Sequence, residues 1–251
     1  MRTEDALGFY AAQAQAFAET LARFRGGDLI GAILTQAFSS FDGNVGFEAG
    51  DYPPVDCDKG CATCCTLRVT ATAPEVLLIE RFIRHGQARG RELNLAKRVV
   101  KANAETAGLD EARRVALRRR CPFLERGVCM IYPVRPLACR GHACYDRKAC
   151  VDAAKGRITE IPYSEPHRQF RSLIQNALQS TLRDAGYGWG LYELNQAVTL
   201  ALADASNLDL WLAGENLWRG DWRRGAGGHG RCLRSLKADD GVVVWPGCAG
   251  C

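Results

Sequence analysis

The stretch CDKGCATCC places Cys57, Cys61, Cys64 and Cys65 within nine residues, and its reading decides what the rest of the chain is for. Four thiols this close need a metal, a disulfide framework or a redox site to account for them. A chain of 251 residues with 47% apolar and 24% charged residues buries an adequate core without covalent staples. The 12 cysteines are therefore not needed for stability in the way a disulfide-stapled mini-protein needs them. The N-terminal stretch is interrupted by Asp5, Gln13, Gln15 and Glu19, unlike a signal peptide, and no run of eighteen apolar residues suggests a membrane span. The expected compartment is the cytosol, where clustered cysteines bind metals or do redox work more often than they form bridges.

Thiolates suit zinc and iron–sulfur clusters, both of which take four sulfur ligands. Cys61-x2-Cys64 lets a single backbone turn wrap an ion, and Cys57-x3-Cys61 adds a third ligand. Cys65 is the informative neighbour. In an extended or turn backbone its side chain diverges from that of Cys64. It then reaches a second metal, or the site is polynuclear, and either case needs ligands from elsewhere. The segment CPFLERGVCMIYPVRPLACRGHACYDRKAC supplies Cys121, Cys129, Cys139, Cys144 and Cys150. Nine thiols match two four-ligand sites with one left over. His142 lies between Cys139 and Cys144 as a ligand or a supporting group, whereas His85 and His167 read as structural. Cys121-Pro122 leans towards iron.

Working outward, residues 5–25 read as an amphipathic helix with Leu7, Tyr10, Ala14, Phe17, Leu21 and Phe24 on one face. A second helix spans 28–41, and Gly43, Gly46, Gly50 and Pro53-Pro54 predict a loop over 42–56. LRVTAT reads as a short extended segment. Thr72 caps a helix running to about His85, with Pro74 and Glu75 in its first turn. Helices follow over 90–106 and 109–119, then 165–185, 191–205 and 208–218. Pro122, Pro133 and Pro136 rule out a long helix in the second cysteine segment. The tail from Arg219 is Gly- and Arg-rich, with VVVW (242–245) as an edge-strand candidate and a terminal pair, Cys248 and Cys251.

The expected fold is mainly α, with helices around an irregular cysteine-rich metal-binding centre. Residues 1–56 form N-terminal helices, 57–150 the metal-binding region, 151–218 C-terminal helices packed on it, and 219–251 a tail. The globular unit covers 5–218. The net charge of +5 is mild, with its basic excess between Arg81 and Arg120. That excess reads as a solvated helical surface or as balance for thiolate charge. Nucleic-acid binding is disfavoured, because no aromatic platform accompanies the arginines.

The offsets carry a resemblance. Cys57-x3-Cys61-x2-Cys64-Cys65 is followed by Cys121-Pro122-Phe123-Leu124, by Gly127-Val128-Cys129-Met130-Ile131-Tyr132 and by Arg135-Pro136-Leu137-Ala138-Cys139-Arg140. This resembles the YkgJ-type cysteine-cluster family over about residues 57–145. That family's domain is described as zinc- or iron-chelating, and some of its members are flagellin lysine N-methylases. The resemblance implies Cys57, Cys61, Cys64, Cys65, Cys121, Cys129 and Cys139 as metal ligands, with Cys144 joining them. Arg140 and Arg135 are expected to neutralise thiolate charge, and Tyr132 and Phe123 to pack around the metal core.

Three functions follow. The first is a metal-binding protein with a structural or redox iron–sulfur cluster or zinc. The second, resting on the resemblance, is a protein-modifying enzyme such as a lysine N-methylase, with a protein substrate or partner. The third is radical S-adenosylmethionine chemistry on Cys57, Cys61 and Cys64. Thr63 and the lack of βα units after the motif weigh against that third reading.

Overall fold

The computed structural model describes residues 3–58, 60–88 and 94–218. The Gly/Arg-rich tail, its VVVW strand candidate and Cys232, Cys248 and Cys251 lie outside the described residues. Helix α1 (Thr3–Arg23) carries the predicted apolar stripe, with Phe17 fully buried and Leu21 nearly so, while Leu7 at its start is exposed. Gly26 adopts φ 57°, a left-handed turn that glycine takes at no steric cost, and opens α2 (Gly26–Glu48). The loop predicted from residue 42 is corrected: α2 continues through Gly43 and Gly46 to Glu48. Burial of Phe41 and Val45 on the inner face outweighs the helix-weakening glycines.

Helix α3 (Ala73–Ala88) starts as read from Thr72. The Glu75 carboxylate reaches back to accept from the Thr72 N–H at 2.7 Å and from its hydroxyl at 2.9 Å. This is half of a capping box. Helices α4 (Leu95–Thr106) and α5 (Glu111–Leu117) are capped by Asn94 and Asp110, whose side chains accept from the Lys97 and Arg113 N–H groups. Helix α8 (Glu165–Asp184) is the long inner helix, and both α1 and α2 pack along it. Tyr10 donates to Ser180 at 2.7 Å, and Thr181 donates to the Ala14 carbonyl at 3.2 Å, pinning α1 to α8. Helix α9 (Leu194–Ala203) packs on α3 and α4, and α10 (Asn207–Leu212) buries Trp211.

A helix starting at Leu191 is also corrected. Strand β1 (Thr70–Thr72) pairs antiparallel with β4 (Leu191–Glu193), matching Ala71 to Tyr192. Glu193 ends the strand and caps α9 by accepting from the Gln196 N–H. The second sheet is a hairpin of β2 (Leu124–Glu125) and β3 (Val128–Cys129). The mainly helical expectation holds, with ten α-helices and four strands of two or three residues among the described residues. One hydrophobic cluster runs from Phe17 to Leu217 and includes Phe123, Ile131 and Leu137 of the second cysteine segment. The cysteine-rich centre is thus built on the main core.

Candidate metal centre

The first cysteine stretch is a chain of tight turns. The Cys61 N–H donates to the Asp58 carbonyl and the Cys65 N–H to that of Ala62, and Cys64–Thr66 forms one turn of 3-10 helix. Such a turn rotates successive side chains by about 120° rather than 180°. The turn keeps Cys65 close enough to Cys64 for the two thiols to interact. Hydrogen bonding with Cys65, then burial, drives the Cys64 thiol far above its ordinary value.

Two seams join this stretch to the second segment. At one, the Cys121 N–H donates to the Cys65 carbonyl at 2.6 Å. The hairpin that follows packs its Gly127 turn against the Gly60 carbonyl and delivers Cys129. Helix α6 (Leu137–Arg140) then supplies Cys139, anchored where the Leu137 N–H donates to Glu75 at 2.7 Å. Burial pushes the Cys139 thiol well above its ordinary value, and the charges of Cys121, Cys64 and Cys129 add to it. Burial likewise raises Cys121 to about 11, while Arg114 and Arg98 pull it down. Cys129 is raised by burial and lowered by Arg135.

At the other seam, the Asp56 N–H donates to the Cys144 carbonyl at 2.9 Å, and the Cys144 N–H points at the Cys57 sulfur at 3.4 Å. The Cys57 and Cys144 sulfurs are 4.0 Å apart. Two thiolates about 2.3 Å from one tetrahedral ion stand about 3.8 Å apart, so this pair is already spaced to share one. Cys150 lies on α7 (Arg147–Ala154), which Asp146 caps by accepting from the Ala149 N–H. Its sulfur is 2.7 Å from that of Cys144. This is longer than a disulfide of about 2.05 Å and shorter than two ligands of one ion require. Burial raises Cys57 and Cys144 to about 11 each. Cys150 is raised by burial, with further contributions from the charges of Cys57, Cys64 and Cys61.

The thiols group into two adjoining sets by the charges they feel. Cys64, Cys121, Cys129 and Cys139 act on one another, with Cys65 beside Cys64; Cys57, Cys61, Cys144 and Cys150 form the other, and the charge of Cys64 is felt in both. Among the described residues no three Cys, His, Asp or Glu side chains are already posed around a single point. All nine thiols are free of disulfides. Soft sulfur donors, abundant and unbridged, fit zinc or an iron–sulfur cluster.

Several supporting roles differ from expectation. Arg140 does not donate to sulfur. It donates to the Arg135 and Pro133 carbonyls, pairs with Asp42 at 3.1 Å and lies over the Phe38 ring. Its task is to hold the ligand loop against α2. Tyr132 is exposed, with the Arg135 guanidinium 3.7 Å above its ring, whereas Phe123 is fully buried as expected. His142 packs edge-on against Tyr163, and burial lowers its pKa. His167 bonds Ser164 at 2.8 Å, and His85 is exposed. Cys150 was the thiol in excess of two four-ligand sites. The signal for it was Asp146, a cap that starts a helix and swings Cys150 back to Cys144.

These residues coincide with a known pattern: residues 56–156 match the model of the CxxCxxCC family, described as "Putative zinc- or iron-chelating domain". Over that span the chain is similar to a CxxCxxCC domain. The match takes in all nine clustered thiols, Cys150 included. No curated protein and no solved structure matches the chain. The matched span begins after α2 and ends just past α7, so α1, α2, α8, α9 and α10 lie outside it. No described helix is long and apolar enough to cross a membrane.

Proposed function

We propose that the CxxCxxCC domain binds an iron–sulfur cluster or zinc through its two thiol sets, in a reducing compartment such as the cytosol. The ligands are Cys57, Cys61, Cys64, Cys65, Cys121, Cys129, Cys139 and Cys144, with Cys150 added. The observation that carries this reading is the double seam, Cys65 to Cys121 and Cys57 to Cys144, which unites sulfurs more than fifty residues apart. The metal's first role is structural. It joins irregular segments whose only strand pairing among the described residues is a two-residue hairpin and one bridge, Cys144 to Tyr163. The binding energy is then partly folding energy. The N-terminal helices, the cysteine region and the helices up to residue 218 act as one folding unit around it.

A second reading is a protein-modifying enzyme such as a lysine N-methylase. It draws on a cavity of about 500 Å3 that reaches Cys121. The radical reading gains nothing from the fold, since both sheets among the described residues are two-stranded and antiparallel. Anaerobic purification followed by absorption spectroscopy and metal and sulfide analysis decides between the metals. Visible charge-transfer bands with acid-labile sulfide identify the cluster. Colourless protein with stoichiometric zinc sinks the redox role, and protein that retains no metal sinks the reading altogether.

A further inference from the structure

The cavity beside the metal centre is walled by cations rather than thiols. Helix α4 contributes Arg98 and Lys101, three residues apart and so on one face. The chain after α5 contributes Arg119 and Arg120, the hairpin turn contributes Arg126, and Cys121 is the one sulfur in the lining. Among the described residues five cations face two nearby carboxylates, an excess of three positive charges. Glu125 lies 2.9 Å from Arg98 and 4.0 Å from Arg126, and Glu105 lies 2.6 Å from Arg119. Lys101 and Arg120 have no carboxylate partner among the described residues. Arg119 also carries a buried Nε–H that no acceptor meets in line, despite the nearby Glu105 oxygen.

The backbone gives a separate indication. Arg118 and Arg126 both adopt φ 48°, and they are two of the three non-glycine residues with positive φ among the described residues. A long side chain in that region is strained, and such strain gathers where a site needs a particular turn. The Arg118 reversal ends α5 and brings Arg119 and Arg120 to the cavity, and the Arg126 reversal forms the hairpin tip on its far side. Balancing thiolate charge does not account for the set. Arg114 and Arg98 are the cations that lower Cys121, and Arg114 is not in the lining.

We propose that this cavity binds an organic di- or triphosphate. Its phosphates lie among Lys101, Arg119 and Arg120, and its remaining body rests on the apolar wall of Ala62, Pro122 and Leu124. A volume of about 500 Å3 is within the range of small-molecule sites. An excess of three charges suits a polyphosphate better than a single carboxylate, and guanidinium forks match phosphate oxygens in pairs. A nucleic-acid strand is disfavoured because no aromatic ring among the described residues lines the cavity for bases to stack on. The proposal is independent of which metal the thiols hold.

The test uses full-length protein isolated anaerobically, with metal content measured on the same samples. Calorimetric titrations compare adenosine triphosphate, pyrophosphate, citrate and a short oligothymidylate. Adenosine triphosphate is expected to bind most tightly, pyrophosphate less so, and citrate at least roughly tenfold more weakly, with affinity falling as salt rises. Lys101→Glu and Arg120→Glu, both at exposed positions, are each expected to weaken adenosine triphosphate binding roughly tenfold or more while metal content holds. If a reversal sheds metal, Lys101→Gln and Arg120→Gln replace it, with the same direction expected. The proposal is overturned by absence of adenosine triphosphate binding at millimolar concentration or by citrate binding equally well. It is equally overturned by tighter binding of the oligothymidylate, or by substitutions that leave affinity unchanged.

Discussion

Replacing Glu75 by alanine removes one carboxylate from a place where only 1% of the residue meets solvent. That carboxylate accepts three hydrogen bonds: the Thr72 N–H, the Thr72 hydroxyl and the Leu137 N–H. The hydroxyl can turn elsewhere, but the two backbone N–H groups cannot. Each buried orphan donor costs about 1–3 kcal/mol. Against this, burial raises the pKa of Glu75, so removing the charged group returns part of the loss. The net expectation for Glu75→Ala is about 3 kcal/mol of lost stability, read by urea unfolding of the metal-loaded chain with circular dichroism. Leu137 opens the helix that carries Cys139, so reduced metal retention is expected alongside. A loss below about 1 kcal/mol with full metal retention would refute the anchoring role. The same residue sets a pH dependence. Its folded pKa lies above the ordinary 4.5, so its contribution is complete below that value and is lost as pH rises through the folded pKa. The native chain should therefore lose ground to Glu75→Gln as pH increases from about 4.5, and a pH-independent difference would contradict the shift.

Gly141→Ala places a methyl group against Arg171, meeting its Cγ and Cδ at 2.7 Å, and should cost about 1–3 kcal/mol in thermal or urea unfolding by prising α6 off α8. In metal-free protein, Cys57, Cys121 and Cys144 have pKa values raised to about 11 from 9.0. Their alkylation by iodoacetamide at pH 8 should run roughly 100-fold slower than that of an ordinary thiol. The stability from these raised values is intact below pH 9 and lost as pH climbs towards 11, which unfolding of the apo-protein across that window will check. Cys150→Ser should lower metal affinity as Cys144→Ser does, and unchanged competition with a chelator would remove Cys150 from the ligand set. Chelation should raise hydrogen exchange over 57–65 and 121–150 together while sparing α1 and α8, and equal protection before and after would contradict a structural metal.

The helices were legible because their apolar residues recur at helical spacing and, at Thr72, because the cap is conventional, whereas the caps at Asn94 and Asp110 emerged from the structure. Sequence failed where burial overrode local preference. Gly43 and Gly46 signalled a loop, yet Phe41 and Val45 carry α2 onward. Leu191–Glu193 continued an apolar helical run, yet β1 offered a strand partner that local spacing cannot reveal. The clustering of the cysteines was readable from their offsets, and Cys150 was countable but not placeable until Asp146 was known to start a helix. Arg140 was misassigned because adjacency to Cys139 says nothing about direction. On a helical turn its guanidinium is carried away from the sulfurs to Asp42. The basic stretch read as a solvated surface because its cations come from three segments, joined only by the reversals at Arg118 and Arg126.

The Cys65 to Cys121 seam also has a meaning in time. The two residues are separated by 56 positions along the chain. At a synthesis rate of about 5–20 residues per second, the second leaves the ribosome roughly 3–11 s after the first. During that interval four nascent thiols have no native partners, and α3 to α5 must be laid down before any arrive. A metal captured early would be held by an incomplete shell and would exchange readily, whereas one captured after Cys150 emerges is enclosed. Translation order thus sets filling of this centre after the second cysteine segment has emerged and before the C-terminal helices α8 to α10 are complete.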